Sequence, residues 1–307
     1  MASRFGPLPL DLLIVEAKDC DAIIAATDPY HSETFAALPR LKLVARCGVG
    51  IDSVDLKAAT EAGVTVTNVP HAMTDAVADY CIGLLLTAVR RIHEGFNCMT
   101  SGGWTEYPGV ELRGKVLGLI GFGKIGQAVA DRAVGFGLKI IVHDPIAPEP
   151  SIVQKYSQIQ FVSFDELLAT SDFISIHAPN IASTKNLINA VTLAKMKPGN
   201  YLINTSRGAL INEADLIQSL TSGHLGGAAI DVYCQEPLPA DHALRNTPRL
   251  LLTPHNAFNS REAAERMSWG CAQPIMDLLD GKVPEFVCNR DILNSEHSRV
   301  KHLLPAI

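Results

Sequence analysis

The sequence predicts an α/β protein built on doubly wound parallel sheets, and three observations carry that prediction. Short apolar runs rich in branched residues alternate with helical stretches along most of the 307 residues. One of these runs ends in a glycine-rich turn that opens a helix, the arrangement of a strand-helix-strand unit. No internal repeat or low-complexity stretch interrupts the alternation.

The central stretch is residues 116–144, VLGLIGFGKIGQAVADRAVGFGLKIIVHD. Residues 116–120 read as a buried strand that stops at Gly121, Gly123 and Gly126. Gly121 allows the tight turn, Gly123 lets the backbone approach a pyrophosphate, and Gly126 lets the helix lie close on the strand. Ile125, Val129, Ala133 and Phe136 then recur at helical spacing, and Gly137 closes the helix. Free N–H groups at the helix start would face phosphates. A second strand, 139–143, delivers Asp144, eighteen residues after Gly126, where a carboxylate suits the adenosine ribose and repels a 2′-phosphate. The cofactor expected is NAD, in a Rossmann-like fold.

Upstream, residues 12–15, 23–26, 43–46 and 64–68 read as strands, separated by helical stretches at 32–38 and 56–62. Residues 75–95 predict one long helix, apolar nearly all round and so buried between two bodies. Residues 101–103, Ser-Gly-Gly, look like a crossover. Downstream, 173–177, 201–204, 228–231 and 250–253 are further strands, with a helix at 212–221. A last helix is expected over 259–280, capped by Asn259 with Glu262 in the reciprocal position and ended by Gly281. Two Rossmann-like domains with a cleft between them follow: residues 1–98 with 285–307 as the substrate domain, and 99–284 as the dinucleotide-binding domain. The polar tail, 289–307, either closes the first domain or packs loosely.

A net charge of -6 and 47% hydrophobic residues give no electrostatic footprint for nucleic acid or an anionic membrane. The opening residues have too brief an apolar run for a signal peptide, and residues 81–89 are too short to cross a bilayer, so a cytoplasmic protein is expected. Seven cysteines, at 20, 47, 81, 98, 234, 271 and 288, are scattered without a Cys-x-x-Cys pair. Reduced thiols and no metal site are expected.

Reducing a 2-oxo acid requires its carboxylate held, its carbonyl polarised and a proton supplied as hydride reaches carbon. Arg207, Glu236 and His255 each follow the carboxyl end of a predicted strand, on the rim where such sheets bind ligands. Singly each reads as a surface or turn residue; together on one rim they read as a site. A carboxylate beside an imidazole favours its protonated form, so the pair keeps a proton available. His71, His143 and His177 read as structural or binding residues, and Trp104 and Trp269 as packing residues.

The glycine turn with Asp144, followed by HAPNIASTKNLIN (177–189), INTSRGALINEADL (203–216), DVYCQEPLP (231–239) and TPHNAF (253–258), resembles the D-isomer-specific 2-hydroxyacid dehydrogenases. RCGVGIDSVD (46–55) and NVPHAMTDAVADY (68–80) are similar to that family's first-domain motifs, and several stretches are closest to its phosphoglycerate dehydrogenase branch. The resemblance covers nearly the whole chain. It implies His255 as acid/base, Glu236 as its partner, and Arg207 as substrate anchor, with backbone N–H groups near Val49 and Gly50 binding the substrate carboxylate. It further implies Lys124 and Ile125 over the pyrophosphate, Asp144 at the ribose, and Ala178, Thr205, Ser206 and Asp231 around the rest of the dinucleotide, Asp231 near the nicotinamide amide. A homodimer through the cofactor domain is implied as well.

Two departures bear on substrate. The loop AATDPYH (25–31) lacks the arginine that phosphoglycerate dehydrogenases place there, and no regulatory extension is expected after residue 307. The expected activity is interconversion of a D-2-hydroxy acid and its 2-oxo acid, of glyoxylate/hydroxypyruvate reductase or phosphoglycerate dehydrogenase type. Asp79 stands where the motif usually carries glutamate. The rival readings are an NAD-sensing corepressor-like binding protein of the same fold and a nucleotide-dependent methyltransferase.

Overall fold

Buried apolar side chains gather in separate cores, one set around Phe35, Leu41 and Val66, the other around Leu85, Leu119, Phe173 and Leu202. In the computed structural model, which describes residues 7–304, they belong to two units. The first unit runs to Met73 and resumes at Asn259; the second is Thr74–Phe258. Residues 1–6 of the opening stretch and the last three residues of the expected tail lie outside the described residues.

The first unit contains α1 (Leu10–Ala17), β1 (Ala22–Ala25), α2 (Ser32–Ala37), β2 (Leu43–Arg46), α3 (Leu56–Glu61) and β3 (Thr65–Thr67). Its strands form a parallel sheet in the order β1-β2-β3, with Ala22 opposite Leu43 and Leu43 opposite Thr65. Residues 12–15, expected as a strand, lie in α1. Their apolar run suits either state, and Asp11 in the first turn with Leu13 and Ala17 buried four apart favours the helix.

The second unit opens with α4 (Thr74–Val89) and α5 (Ile92–Thr100). The single long helix expected here breaks because Arg91 takes a left-handed conformation, φ 54°, pairing with Glu94 and lying over the Tyr107 ring. Then come β4 (Val116–Ile120), α6 (Lys124–Ala133), β5 (Lys139–His143), α7 (Pro150–Lys155), β6 (Gln160–Phe161), α8 (Phe164–Thr170) and β7 (Phe173–Ile176). These are followed by α9 (Ala190–Lys195), β8 (Tyr201–Asn204), α10 (Glu213–Ser222), β9 (Gly227–Ile230) and β10 (Leu250–Leu252). All seven strands are parallel, in the order β10-β9-β8-β7-β4-β5-β6. The chain therefore winds outward in opposite directions from the β4/β7 pair, and a crevice opens beyond their carboxyl ends.

α11 (Arg261–Leu279) returns to the first unit and packs on β1 and β2. Its N-cap is Ser260, whose hydroxyl accepts from the Ala263 N–H at 3.0 Å, and not Asn259 as the sequence suggested. The units divide the chain differently from the expected domain boundaries at 98 and 285. The difference lies in two helices: α4 packs on α6, β8 and β9, and α11 on the first sheet. The exposed indoles of Trp104 (86%) and Trp269 (64%) also correct their assignment as packing residues.

The described part of the tail closes the first sheet. Cys288 N–H donates to Val66, and the buried Asn289 side chain accepts from Val66 N–H and donates to the Val64 carbonyl, both at 2.9 Å. Arg299 reaches the carbonyls of Leu38 and Leu41. Asn289→Ala would leave both strand groups without partners out of water, at about 2 kcal/mol. We expect a lower urea midpoint with an unchanged slope, read by circular dichroism; an unchanged midpoint would show that Asn289 is not what secures the tail.

Candidate active site

The crevice of the second unit begins where β4 ends. Gly121 has φ +93°, and a Cβ there would stand 2.7 Å from the His177 carbonyl oxygen, so the turn and the end of β7 can meet only through glycine. A Cβ on Gly126 would lie 2.5 Å from the Gly121 oxygen, which keeps the helix tight on the strand; a Cβ on Gly123 would meet nothing within 4 Å. Gly123 is also the N-cap of α6 and supplies no side-chain cap, leaving the first helical N–H groups, at Lys124 and Ile125, for a ligand. Asp144 accepts from Phe122 N–H at 2.8 Å through one oxygen and from Ile146 N–H at 2.9 Å through the other. It therefore holds the glycine turn to the end of β5.

Ala178 follows β7 beneath this turn, where a Cβ on Gly121 would come within 3.0 Å of its nitrogen. Past β8, Thr205 buries its hydroxyl oxygen without a hydrogen-bond partner, while Ser206 Oγ donates to the Ile176 carbonyl at 2.7 Å. The open backbone at Gly123, the uncapped helix start and the orphaned Thr205 hydroxyl together fit a bound dinucleotide.

The three chemistry-bearing residues come together on the same unit. His255 Nδ1 lies 2.6 Å from Glu236 Oε2, and the Tyr233 N–H donates to Glu236 Oε1 at 2.9 Å. Burial pushes the Glu236 carboxyl up, but the hydrogen bonds from His255 and Tyr233 and the charges of His255 and Arg207 outweigh it and hold the group below its ordinary value. The carboxylate thus accepts from Nδ1, leaving Nε2 as the nitrogen that can meet a substrate. Arg207 follows β8 in a turn that Asn204 shapes by donating to the Arg207 carbonyl and accepting from Ser206 N–H. The next residue, Gly208, lies so close to the Tyr233 backbone that a Cβ would fall 2.0 Å from its carbonyl carbon. This contact seats the arginine turn against the segment that carries Glu236.

His255 itself is in the left-handed region, φ 50°, and its N–H donates to the Asp231 carbonyl at 2.8 Å. The Asp231 side chain, wholly buried, accepts from Thr253 Oγ1, Asn256 N–H and Ala257 N–H at 2.5, 2.9 and 2.8 Å. Expected beside the nicotinamide amide, Asp231 has its oxygens engaged in holding the histidine loop. Sequence reasoning also passed over Tyr233, whose hydroxyl donates to the Thr253 carbonyl at 2.7 Å, and Asn204. A signal was present, since both stand at or just beyond strand ends beside the motif residues.

In the first unit, the turn of Val49 and Gly50 is tied at its carbonyls: Asn68 Nδ2 donates to Val49 O at 2.8 Å and Val69 N–H to Gly48 O at 3.2 Å. His71 stacks edge-on against Phe286 and, with α11, lines a cavity of about 280 Å³. His143 meets the Val162 carbonyl and the Phe164 ring. His177 joins a buried chain, its Nε2 2.9 Å from Ser175 Oγ and that oxygen 3.1 Å from Cys81 Sγ. Burial drives the His177 imidazole down to about 4, so it is neutral at neutral pH and carries no proton for catalysis.

Comparison with known proteins adds the decisive observation. Residues 82–257 match the model of the D-isomer specific 2-hydroxyacid dehydrogenase NAD-binding domain. The chain belongs to the D-isomer specific 2-hydroxyacid dehydrogenase family. It is 37% identical over 295 residues to a glyoxylate reductase of Korarchaeum cryptofilum, an alignment covering 94% of this chain and 88% of that protein. It is 38% identical over 291 residues to D-3-phosphoglycerate dehydrogenase 2 of Arabidopsis thaliana, covering 94% of this chain but 46% of the other. The crystal structure of a glyoxylate reductase from Paecilomyes thermophila superposes with a TM-score of 0.83 at 33% identity, over 92% of this chain and 88% of that one. As a member of this family, the dehydrogenase is an NAD-dependent oxidoreductase of 2-hydroxy acids, and the corepressor-like reading finds no support among these relatives.

The depressed His177 makes folding of the dehydrogenase sensitive to acid. The unfolded chain takes up a proton near pH 6.5 and the folded one only near 4, so stability is lost as pH falls through that window. The linkage amounts to about 2 kcal/mol between pH 7 and pH 5. His177→Gln, which keeps a hydrogen-bonding side chain but cannot titrate, should flatten that part of the profile in urea denaturation at the two pH values. Equal losses in the variant and the parent would remove His177 as the cause.

Proposed function

We propose that this dehydrogenase interconverts a small, unphosphorylated D-2-hydroxy acid and its 2-oxo acid, of the glyoxylate and hydroxypyruvate kind, with Arg207, Glu236 and His255 as the catalytic residues. The observation that carries this reading is the His255–Glu236 contact at 2.6 Å, with the Arg207 charge acting on the same carboxylate. Bound NADH supplies the hydride to the carbonyl carbon. His255 Nε2 delivers a proton to the carbonyl oxygen, and Glu236 orients the ring and stabilises its charged form. Arg207 holds the substrate carboxylate and polarises the carbonyl, and the family resemblance assigns substrate binding to the backbone N–H groups at Val49 and Gly50 as well. In the oxidative direction the neutral imidazole accepts the hydroxyl proton.

Gly121, Gly123 and Gly126 shape the dinucleotide cradle, with Lys124 and Ile125 at the pyrophosphate, Asp144 at the ribose, and Ala178, Thr205, Ser206 and Asp231 toward the nicotinamide end. The acidic side chain of Asp144 supports preference for NAD over NADP. For the substrate, the loop of residues 25–31 carries Asp28, held to the Leu8 N–H at 2.7 Å, and neither Arg nor Lys. That charge disfavours a phosphorylated acid. A homodimer through the second unit is supported by the exposed apolar residues Ile92, Phe96 and Met99 on α5 and by Trp104. Scattered free thiols support a cytoplasmic setting.

Assays of glyoxylate, hydroxypyruvate, pyruvate, phenylpyruvate and phosphohydroxypyruvate with NADH and NADPH should show turnover with a small acid and NADH. His255→Ala should lower kcat about 10²- to 10⁴-fold while NADH binding, followed by fluorescence, persists. Parental turnover in that variant rejects the assignment.

Glu236→Gln keeps the shape of the side chain but removes the carboxylate that orients the ring through Nδ1. It should lower kcat while NADH binding persists, and parental kcat in that variant would take Glu236 out of the pair.

A further inference from the structure

The cavity beside His71 lies wholly within the first unit, between α11 and the loop that follows β3. Gly270 lets helix and loop meet, since a Cβ there would stand 2.5 Å from Val69 Cγ1. The floor is apolar, with Val69, Ala72 and Pro274 buried, and Phe286 and His71 add an aromatic wall. Its volume, about 280 Å³, is close to the lower end of small-molecule sites, about 300 Å³. Charge of both signs lines the same space. Arg266 is exposed, and its Nε donates to the Ala72 carbonyl at 2.8 Å, which fixes the guanidinium at the loop and leaves the terminal nitrogens for a ligand. Eleven residues on, about 16 Å along the α11 axis, Asp277 accepts from Gln273 Nε2 at 2.8 Å. Glu285, next in the chain to Phe286, adds a second carboxylate. Among the described residues Arg266, Asp277 and Glu285 form no ion pair, and Lys282 pairs with Asp280 at 3.0 Å.

We propose that this cavity binds an elongated zwitterion, with its carboxylate on Arg266, its alkylammonium on Asp277 and Glu285, and an unbranched apolar chain between them. The guanidinium donates to the ligand carboxylate, the two protein carboxylates and the Phe286 ring receive the ammonium, and the methylenes cover the floor at Val69 and Pro274. The separation along α11 excludes an ordinary α-amino acid, whose two charged groups share one carbon and cannot reach both ends. A dicarboxylate or a diamine would set like charge against one end. The same loop runs into the turn of the first unit, because Asn68 Nδ2 and Val69 N–H hold the carbonyls of Val49 and Gly48. A ligand that fixes the loop therefore fixes the turn. This consequence for catalysis rests on the proposed role of that turn in holding the substrate carboxylate; the binding does not.

The test titrates the full-length enzyme, saturated with NADH, with 8-aminooctanoate by calorimetry, beside octanoate and octylamine, which each keep one charged end, and 4-aminobutanoate, which is too short to span the site. 8-Aminooctanoate should bind about ten-fold tighter than any of the other three. Arg266→Gln should bring it to the level of octylamine, and Glu285→Gln should weaken 8-aminooctanoate and octylamine several-fold while sparing octanoate. Absence of binding, equal affinity for the four probes, or parental affinity in both variants overturns the proposal, as does displacement of the probe by glyoxylate, which would place it at Arg207. Calorimetry reads binding without turnover, so failure of this site and failure of the proposed activity are distinguishable. With 8-aminooctanoate saturating, KM for the oxo acid should fall several-fold, an effect lost in Arg266→Gln. An unchanged KM in the saturated enzyme would overturn the coupling to the turn.

Discussion

The active end of the second unit depends on one buried carboxylate. Asp231, at the end of β9, gathers Thr253, Asn256 and Ala257 around its two oxygens, and its backbone carbonyl receives the N–H of His255. Taking a carboxylate out of water is costly unless donors replace the solvent, and three donors do so here. In return the loop is bent far enough to hold His255 at a positive φ, a conformation that a histidine keeps only when its surroundings impose it. The short contact to Glu236 follows from that bend. Tyr233 braces the opposite side, its N–H on Glu236 and its hydroxyl on Thr253.

Much of this was legible in the sequence because parallel strands buried on both faces announce themselves as branched apolar runs. Residues 43–46, 116–120, 139–143 and 201–204 were located to the residue, and the residues after β8, β9 and β10 could then be placed on one rim. Spacing alone did not reveal the role of Asp231. A strand-end aspartate looks the same whether or not it also braces its own loop, and only the three donors around it show that this one does.

The departures share a cause, which is tertiary context deciding between local states of similar energy. The run at 12–15 has no period long enough to separate strand from helix, and the burial of Leu13 and Ala17 on one helical face decides it. Arg91 ends α4 through its ion pair with Glu94 and its place over Tyr107, neither of which a hydropathy pattern registers. Asn259 and Ser260 are both acceptable helix caps in composition, and only the contact to Ala263 shows which one acts. The two helices α4 and α11 shifted the boundaries between units for the same reason.

The hold of Asp144 on Phe122 and Ile146 has a bearing on attempts to redesign nucleotide choice. The side chain proposed to discriminate between dinucleotides is also a brace for the glycine turn, so the proposed specificity and the scaffold meet at one position. A bulky cation installed there to welcome a phosphate would forfeit two backbone anchors at once. A short replacement that still accepts from both amides, with the positive charge introduced at a neighbouring residue, would respect the architecture that the parent carboxylate maintains.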